Sequence, residues 1–368
     1  MSFGNRDADP MSMRLAVAAW AVLLSAAPAL AADPFGTAGS FRQAGWAQCD
    51  AMQEWMNGAC DPPPVDASLE PKARARAHIE RGRQLVAIAR MEPAQQAAKA
   101  AVEADPTSIA ALTFLGRLEL SLFHHDAAEQ ALNAGLLIDP RDPALLATRA
   151  ELLLSKGEQR LALEDISRAL EIKPDVFDAL WIKARIYRAL GQLDRAEEDL
   201  GRALEIEPDD RHTRVMRSQV RLHMGKFEGA IEDTSRVLEQ HSDPSAIEVR
   251  AIANTALGRH AKALDDLTLL LGPPGEPTLA PTTRHYHGLL VQRAILLARL
   301  GRKGEIAKDI ETLVTMGGQR GLLRMQVHLR KSGFRDVPLD GKRTPLFDEA
   351  LTACLVNQAC ANGLSERT

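Results

Sequence analysis

Residues 162–175 read ALEDISRALEIKPD, residues 196–209 read AEEDLGRALEIEPD, and residues 230–243 read AIEDTSRVLEQHSD. Superposed, the three keep alanine, an acidic pair, arginine and leucine in phase at a step of 34 residues. Within each, apolar residues recur three and four positions apart, the spacing that gathers them on one face of a helix. The phase extends outward. Pro106, Pro140, Pro174 and Pro208 fall on it, each after a charged residue, as do Ala128, Ala162, Ala196 and Ala230, and Gly157, Gly191 and Gly225. Such a period, with two amphipathic stretches per unit, predicts stacked helix hairpins and an all-α chain.

Each phased residue has a physical reason. The glycine fits the tight turn between two helices, where a left-handed backbone is inexpensive for it. The alanine fits where helices cross closely. The proline ends the second helix and introduces the next first helix. A single hairpin cannot bury its apolar face, so neighbours must stack into a continuous core.

The best unit, Leu180-Trp181, Ala184, Tyr187, Gly191, Ala196, Ala203 and Pro208, resembles a tetratricopeptide repeat (TPR). Further units read at about 75–108, 109–142, 143–176, 177–210, 211–243, 244–277 and 287–318. The resemblance implies a right-handed superhelical solenoid of about six to seven hairpins, with a small helical C-terminal cap. The expected organisation is a signal peptide over 1–31, an N-terminal segment over 32–74, a repeat region over 75–318 and a helical segment over 319–368. Gly258 and Gly301 are nine residues further apart than the period, and the surplus falls in a proline-rich stretch over 271–286, an insertion or hinge.

Composition narrows the function classes. The 368 residues are 45% hydrophobic and 26% charged with net charge −4, which excludes a disordered chain and gives no sign of a nucleic-acid binder. Arg14, an apolar run from Leu15 to Leu30 and the small-residue site Ala29-Leu30-Ala31 read as an export signal cleaved after Ala31 or Ala32. The run is short for a membrane span of ~20 residues. The expectation is a periplasmic or secreted protein that is not integral to the membrane after cleavage. Four cysteines, Cys49, Cys60, Cys354 and Cys360, suit disulfides in an exported chain. Three connectivities exist, and proximity favours Cys49–Cys60 and Cys354–Cys360.

No nucleophile signature, phosphate loop, dinucleotide fingerprint or zinc spacing is present, so no enzyme, cofactor or metal is expected. The acidic pairs Glu164-Asp165, Glu198-Asp199 and Glu232-Asp233 read as a solvated outer face. The resemblance implies that first helices line a concave groove for a protein or peptide partner. Mapped onto this chain, that lining includes Arg117, Glu151, Trp181, Arg185, Arg188, His212 and Gln219. Trp181 with Arg185 and Arg188 would set an aromatic group beside fixed carboxylate donors, or else Trp181 packs between repeats. The asparagines and lysines with which some relatives clamp a chaperone tail are absent from the matching places.

Residues 321–355 resemble a degenerate form of the small helical peptidoglycan-binding module, through Gln326, Leu329, Gly333-Phe334, Asp340-Gly341 and Ala350-Leu351. Arg343-Thr344 and Cys354-Leu355 depart from its pattern. The resemblance implies either association with peptidoglycan or a helical cap over the last repeat.

Overall fold

The computed structural model describes residues 61–274, 284–357, 360–361 and 364. Regular structure among them is helical throughout. The helices are α1 (Pro71–Ala87), α2 (Met91–Ala104), α3 (Ile109–Ser121), α4 (His125–Ile138), α5 (Pro143–Ser155), α6 (Gln159–Ile172), α7 (Phe177–Ala189) and α8 (Leu193–Ile206). They continue with α9 (Arg211–His223), α10 (Phe227–Leu238), α11 (Pro244–Ala256), α12 (His260–Leu271), α13 (Arg284–Arg299), α14 (Lys303–Lys331) and α15 (Pro345–Val356). The backbone leaves helical geometry at Gly318, so α14 is two helices joined at a kink. The stretch expected to be a signal peptide, and Cys49 with Cys60, lie outside the described residues.

The local signals act as the chemistry requires. Gly157, Gly191, Gly225, Gly258 and Gly301 hold φ between 71° and 79° in the turn inside each hairpin. The first two hairpins put Ala89 (φ 58°) and Phe123 (φ 60°) in that same left-handed position. Asp105, Asp139, Lys173 and Glu207 precede the phased prolines, whose rings disfavour helical geometry there, and their ψ values of 92°, 99°, 95° and 83° end α2, α4, α6 and α8. The Asp142 side chain caps α5 by accepting from the N–H groups of Ala144 and Leu145.

The chain divides into two compact units, with the division between His212 and Thr213. In the first, hairpins α1/α2, α3/α4, α5/α6 and α7/α8 stack in order. Successive first helices touch (α1 with α3, α3 with α5, α5 with α7), whereas α2, α4, α6 and α8 make no comparable contact with one another. The first helices are therefore the inner, crowded layer of this unit. Ala94, Ala128, Ala162 and Ala196 are fully buried at the crossings.

In the second unit, α9/α10, α11/α12 and α13 with the first part of α14 form the remaining pairs. α15 packs on α13 and α14, and its Phe347, Leu351 and Leu355 join the same core as Leu290, Leu297 and Ile310. Buried Gln326 explains why the C-terminal motif residues travel together. Its amide donates to Asp340 Oδ1 (3.1 Å) and to the Lys342 carbonyl (2.8 Å), and its oxygen accepts from the Gly341 N–H (2.9 Å). These bonds hold the turn that returns the chain to α15, a structural role within a cap. Cys354 and Cys360 form a disulfide, one of the two expected pairs. It can form because α15 ends at Val356 and Asn357 is extended (ψ 111°), which frees Cys360 to fold back.

One sequence expectation is overturned. Glu164, Glu198 and Glu232 are exposed, but their neighbours Asp165, Asp199 and Asp233 are buried. Adjacent helical residues point about 100° apart, so only one of each pair can face solvent. Each aspartate meets a basic residue 16 positions earlier, on the first helix of its own hairpin. Arg149, Arg217, Arg250 and Arg293 grip Asp165, Asp233, Asp266 and Asp309 through both carboxylate oxygens, at 2.6 to 3.2 Å. In the α7/α8 hairpin the partner is Lys183, whose single contact to Asp199 is 3.5 Å long. The first two hairpins carry Ala97 and Ala131 at the aspartate position. Such buried pairs fix the register of two helices more than they add net stability.

Candidate functional site

Residues 34 apart occupy the same place on successive first helices, and Arg117, Glu151 and Arg185 form one such row across α3, α5 and α7. Their charges alternate. Arg185 Nη1 donates to Glu151 Oε1 at 2.5 Å, tying two adjacent repeats together on the inner layer. One helical turn before Arg185 lies Trp181, and the guanidinium sits 4.6 Å from the centre of the indole. Trp181 is only 7% exposed, so Arg185 covers it, and an approaching group meets the arginine first.

Arg188, on the next turn of α7, is exposed, and Arg117 is half-buried. His212 stands at the start of α9, half-buried, with its Nε2 3.2 Å from Arg211 Nη2. Gln219 is half-buried further along α9, in the second unit, where its carbonyl accepts from His223 Nδ1 at 2.7 Å. The structure thus brings Arg117, Glu151, Trp181, Arg185 and Arg188 onto one layer of the first unit. Gln219 belongs to the other unit.

Asp178, which the sequence did not single out, joins this layer three residues before Trp181. Burial raises its carboxyl above the ordinary carboxylate range, with Glu151 and Asp210 adding to the shift and Arg117 opposing it. Its spacing from Trp181 and Arg185, three and then four residues, was the available signal for a shared face. Chemically, the layer offers oriented N–H donors on a rigid aromatic base, beside a carboxyl that keeps its proton to higher pH than usual. Such donors recognise carboxylates and backbone carbonyls.

Residues 177–210, which comprise α7, α8 and the proline after them, match the family model of the tetratricopeptide repeat. The chain carries a tetratricopeptide repeat at 177–210, and its other helix hairpins share that repeat's fold. Among solved structures it is similar to PilW, a widely conserved type IV pilus biogenesis factor, at 16% identity over 53% of this chain and 91% of that one, with a TM-score of 0.50. A tetratricopeptide repeat protein from Parabacteroides merdae matches at 22% identity over 66% of this chain and 93% of that one, with a TM-score of 0.45. PilF of Pseudomonas aeruginosa matches at 14% identity over 54% and 91%, with a TM-score of 0.48. No curated protein matches the sequence. The TPR fold is a protein–protein interaction scaffold. No described helix is long and apolar enough to cross a membrane.

Proposed function

We propose that this TPR protein is an exported scaffold that holds a segment of another protein against the inner layer of its first unit, around Arg185. The observation that carries the reading is the Glu151–Arg185–Trp181 assembly. A guanidinium held at one edge by a carboxylate and beneath by an indole has lost most of its freedom already, so a partner's carboxylate or carbonyl meets a preorganised donor at low entropic cost. Export rests on Arg14, the Leu15–Leu30 run and the Ala29-Leu30-Ala31 site, and it places the partner in the periplasm or outside the cell.

The test uses a photo-crosslinking side chain at exposed Arg188, with exposed Glu198 on the second helix α8 as control. Expected is one crosslinked protein from position 188, absent at 198 and lost when Arg185→Glu is added. Equal crosslinking from both positions, or capture that survives Arg185→Glu, removes the inner layer as the binding surface. Export is checked separately by osmotic release of the mature chain, with mass spectrometry of its new N-terminus.

A further inference from the structure

The C-terminal cap gathers metal-ligating groups from separate parts of the chain. His328 of α14, Cys354 of α15 and Cys360 beyond it bring one imidazole nitrogen and two sulfurs within 4.8 Å of one another. These ligands come from three segments, and 26 residues separate His328 from Cys354, so no sequence motif advertises them. Both cysteines are buried and His328 is half-buried. His328 Nε2 lies 3.7 Å from Cys360 Sγ. In a tetrahedral zinc site, Zn–S near 2.3 Å and Zn–N near 2.0 Å place sulfur and nitrogen about 3.6 Å apart. The imidazole already stands where a shared cation needs it.

We propose that His328, Cys354 and Cys360 are a redox-gated site for one soft d10 cation. In the oxidised chain the two sulfurs are bonded to each other and the site is closed. A dithiol reductant transfers two electrons and two protons to the disulfide, becomes a disulfide itself, and leaves two cysteine thiols. A Zn2+ ion then displaces both thiol protons and takes two thiolates and one imidazole lone pair, leaving a fourth position for water. His328 Nε2 must give up its hydrogen bond to the Cys360 carbonyl (2.8 Å) and keep its proton on Nδ1. Two thiolates and an imidazole favour soft cations over Mg2+ or Ca2+. The same three segments are thus fastened by a covalent bond under oxidising conditions and by a metal under reducing ones, which protects the cap during the interval before the disulfide forms.

The test uses the full chain with Cys49→Ser and Cys60→Ser, so that only Cys354 and Cys360 supply thiols. The protein is reduced with a dithiol, freed of reductant anaerobically and titrated with Co2+, then with Zn2+. Expected is one Co2+ per chain, with thiolate-to-cobalt charge-transfer bands and the intense d–d bands of a four-coordinate site, all erased by one equivalent of Zn2+. The oxidised protein should show none of these. His328→Gln keeps a donor for the Cys360 carbonyl and so guards against simple misfolding, and it should weaken Zn2+ binding by about 100-fold if the imidazole is a ligand. A reduced protein that binds no more Co2+ than the Cys354→Ser/Cys360→Ser variant overturns the proposal. So does His328→Gln binding as tightly as the parent.

Discussion

Replacing Lys183 by arginine is expected to stabilise the α7/α8 hairpin by about 1 kcal/mol. Four hairpins hold their buried aspartate with a two-pronged guanidinium, whereas Lys183 reaches Asp199 through one contact of 3.5 Å and leaves Asp199 Oδ2 buried without a hydrogen-bond partner. An unsatisfied buried oxygen costs about 1–3 kcal/mol. Against that gain stand the ordering of a longer side chain, up to about 1 kcal/mol, and the lost cation–π contact of Lys183 with Tyr187, worth about 0.5 kcal/mol. Urea unfolding should shift its midpoint upward by about 0.5 M for a slope near 2 kcal/mol/M, with slowed hydrogen exchange concentrated in α7 and α8. Burial raises the Asp199 carboxyl above its ordinary value of 3.8, with Lys183 opposing only in part. A raised carboxyl contributes stability that is full below its unfolded value and is lost as pH rises through the folded one. The arginine fork favours the ionised form, so this decline on the alkaline side of 3.8 should shrink. The reasoning fails if Lys183→Arg gives no gain, or the same gain when Asp199 is already asparagine.

Phe123→Gly should raise stability by about 1 kcal/mol, because a bulky residue is strained at φ 60° and the 83% exposed ring has little packing to lose; thermal melts of Phe123→Gly beside Gly191→Ala should move in opposite directions. Arg293→Met should cost about 3–5 kcal/mol by stranding the fully buried Asp309 carboxylate, and adding Asp309→Leu should recover most of it, as read by equilibrium unfolding. Asp178→Asn should increase stability at neutral pH and flatten the loss of stability as pH rises through the raised folded value of Asp178, measured by denaturant midpoints across pH 4 to about 7.

The hairpins were legible because their punctuation is local. A proline stops a helix, a glycine turns it and an alanine permits a crossing, whatever surrounds them. The aspartate rungs were harder. Glu164 and Asp165 look alike as letters, and only the helix rotation between them sends one outward and one toward Arg149. A search for a basic residue at a constant separation of 16 would have found all five. Trp181 and Arg185 were visible as a shared face, but not the fact that Arg185 covers the indole, which depends on where Glu151 holds the guanidinium. His328 was invisible for a plainer reason. Its nearness to Cys354 and Cys360 is made by the return of the chain through the Gln326-bound turn, a contact with no period.

The buried guanidinium of Arg293 also donates to the carbonyl of Gly272, the last residue before the proline-rich stretch departs, while Asp309 holds its other side. The end of α12 is therefore pegged to α13 and α14 through one buried side chain. Both anchors belong to described residues, so the helix pairs on either side are pinned by their own side chains. Each doubling of such a connection costs only about 0.6 kcal/mol in closure entropy. A change in the length of the connection would therefore be felt by the helix pairs as a small entropic cost and not as a lost anchor.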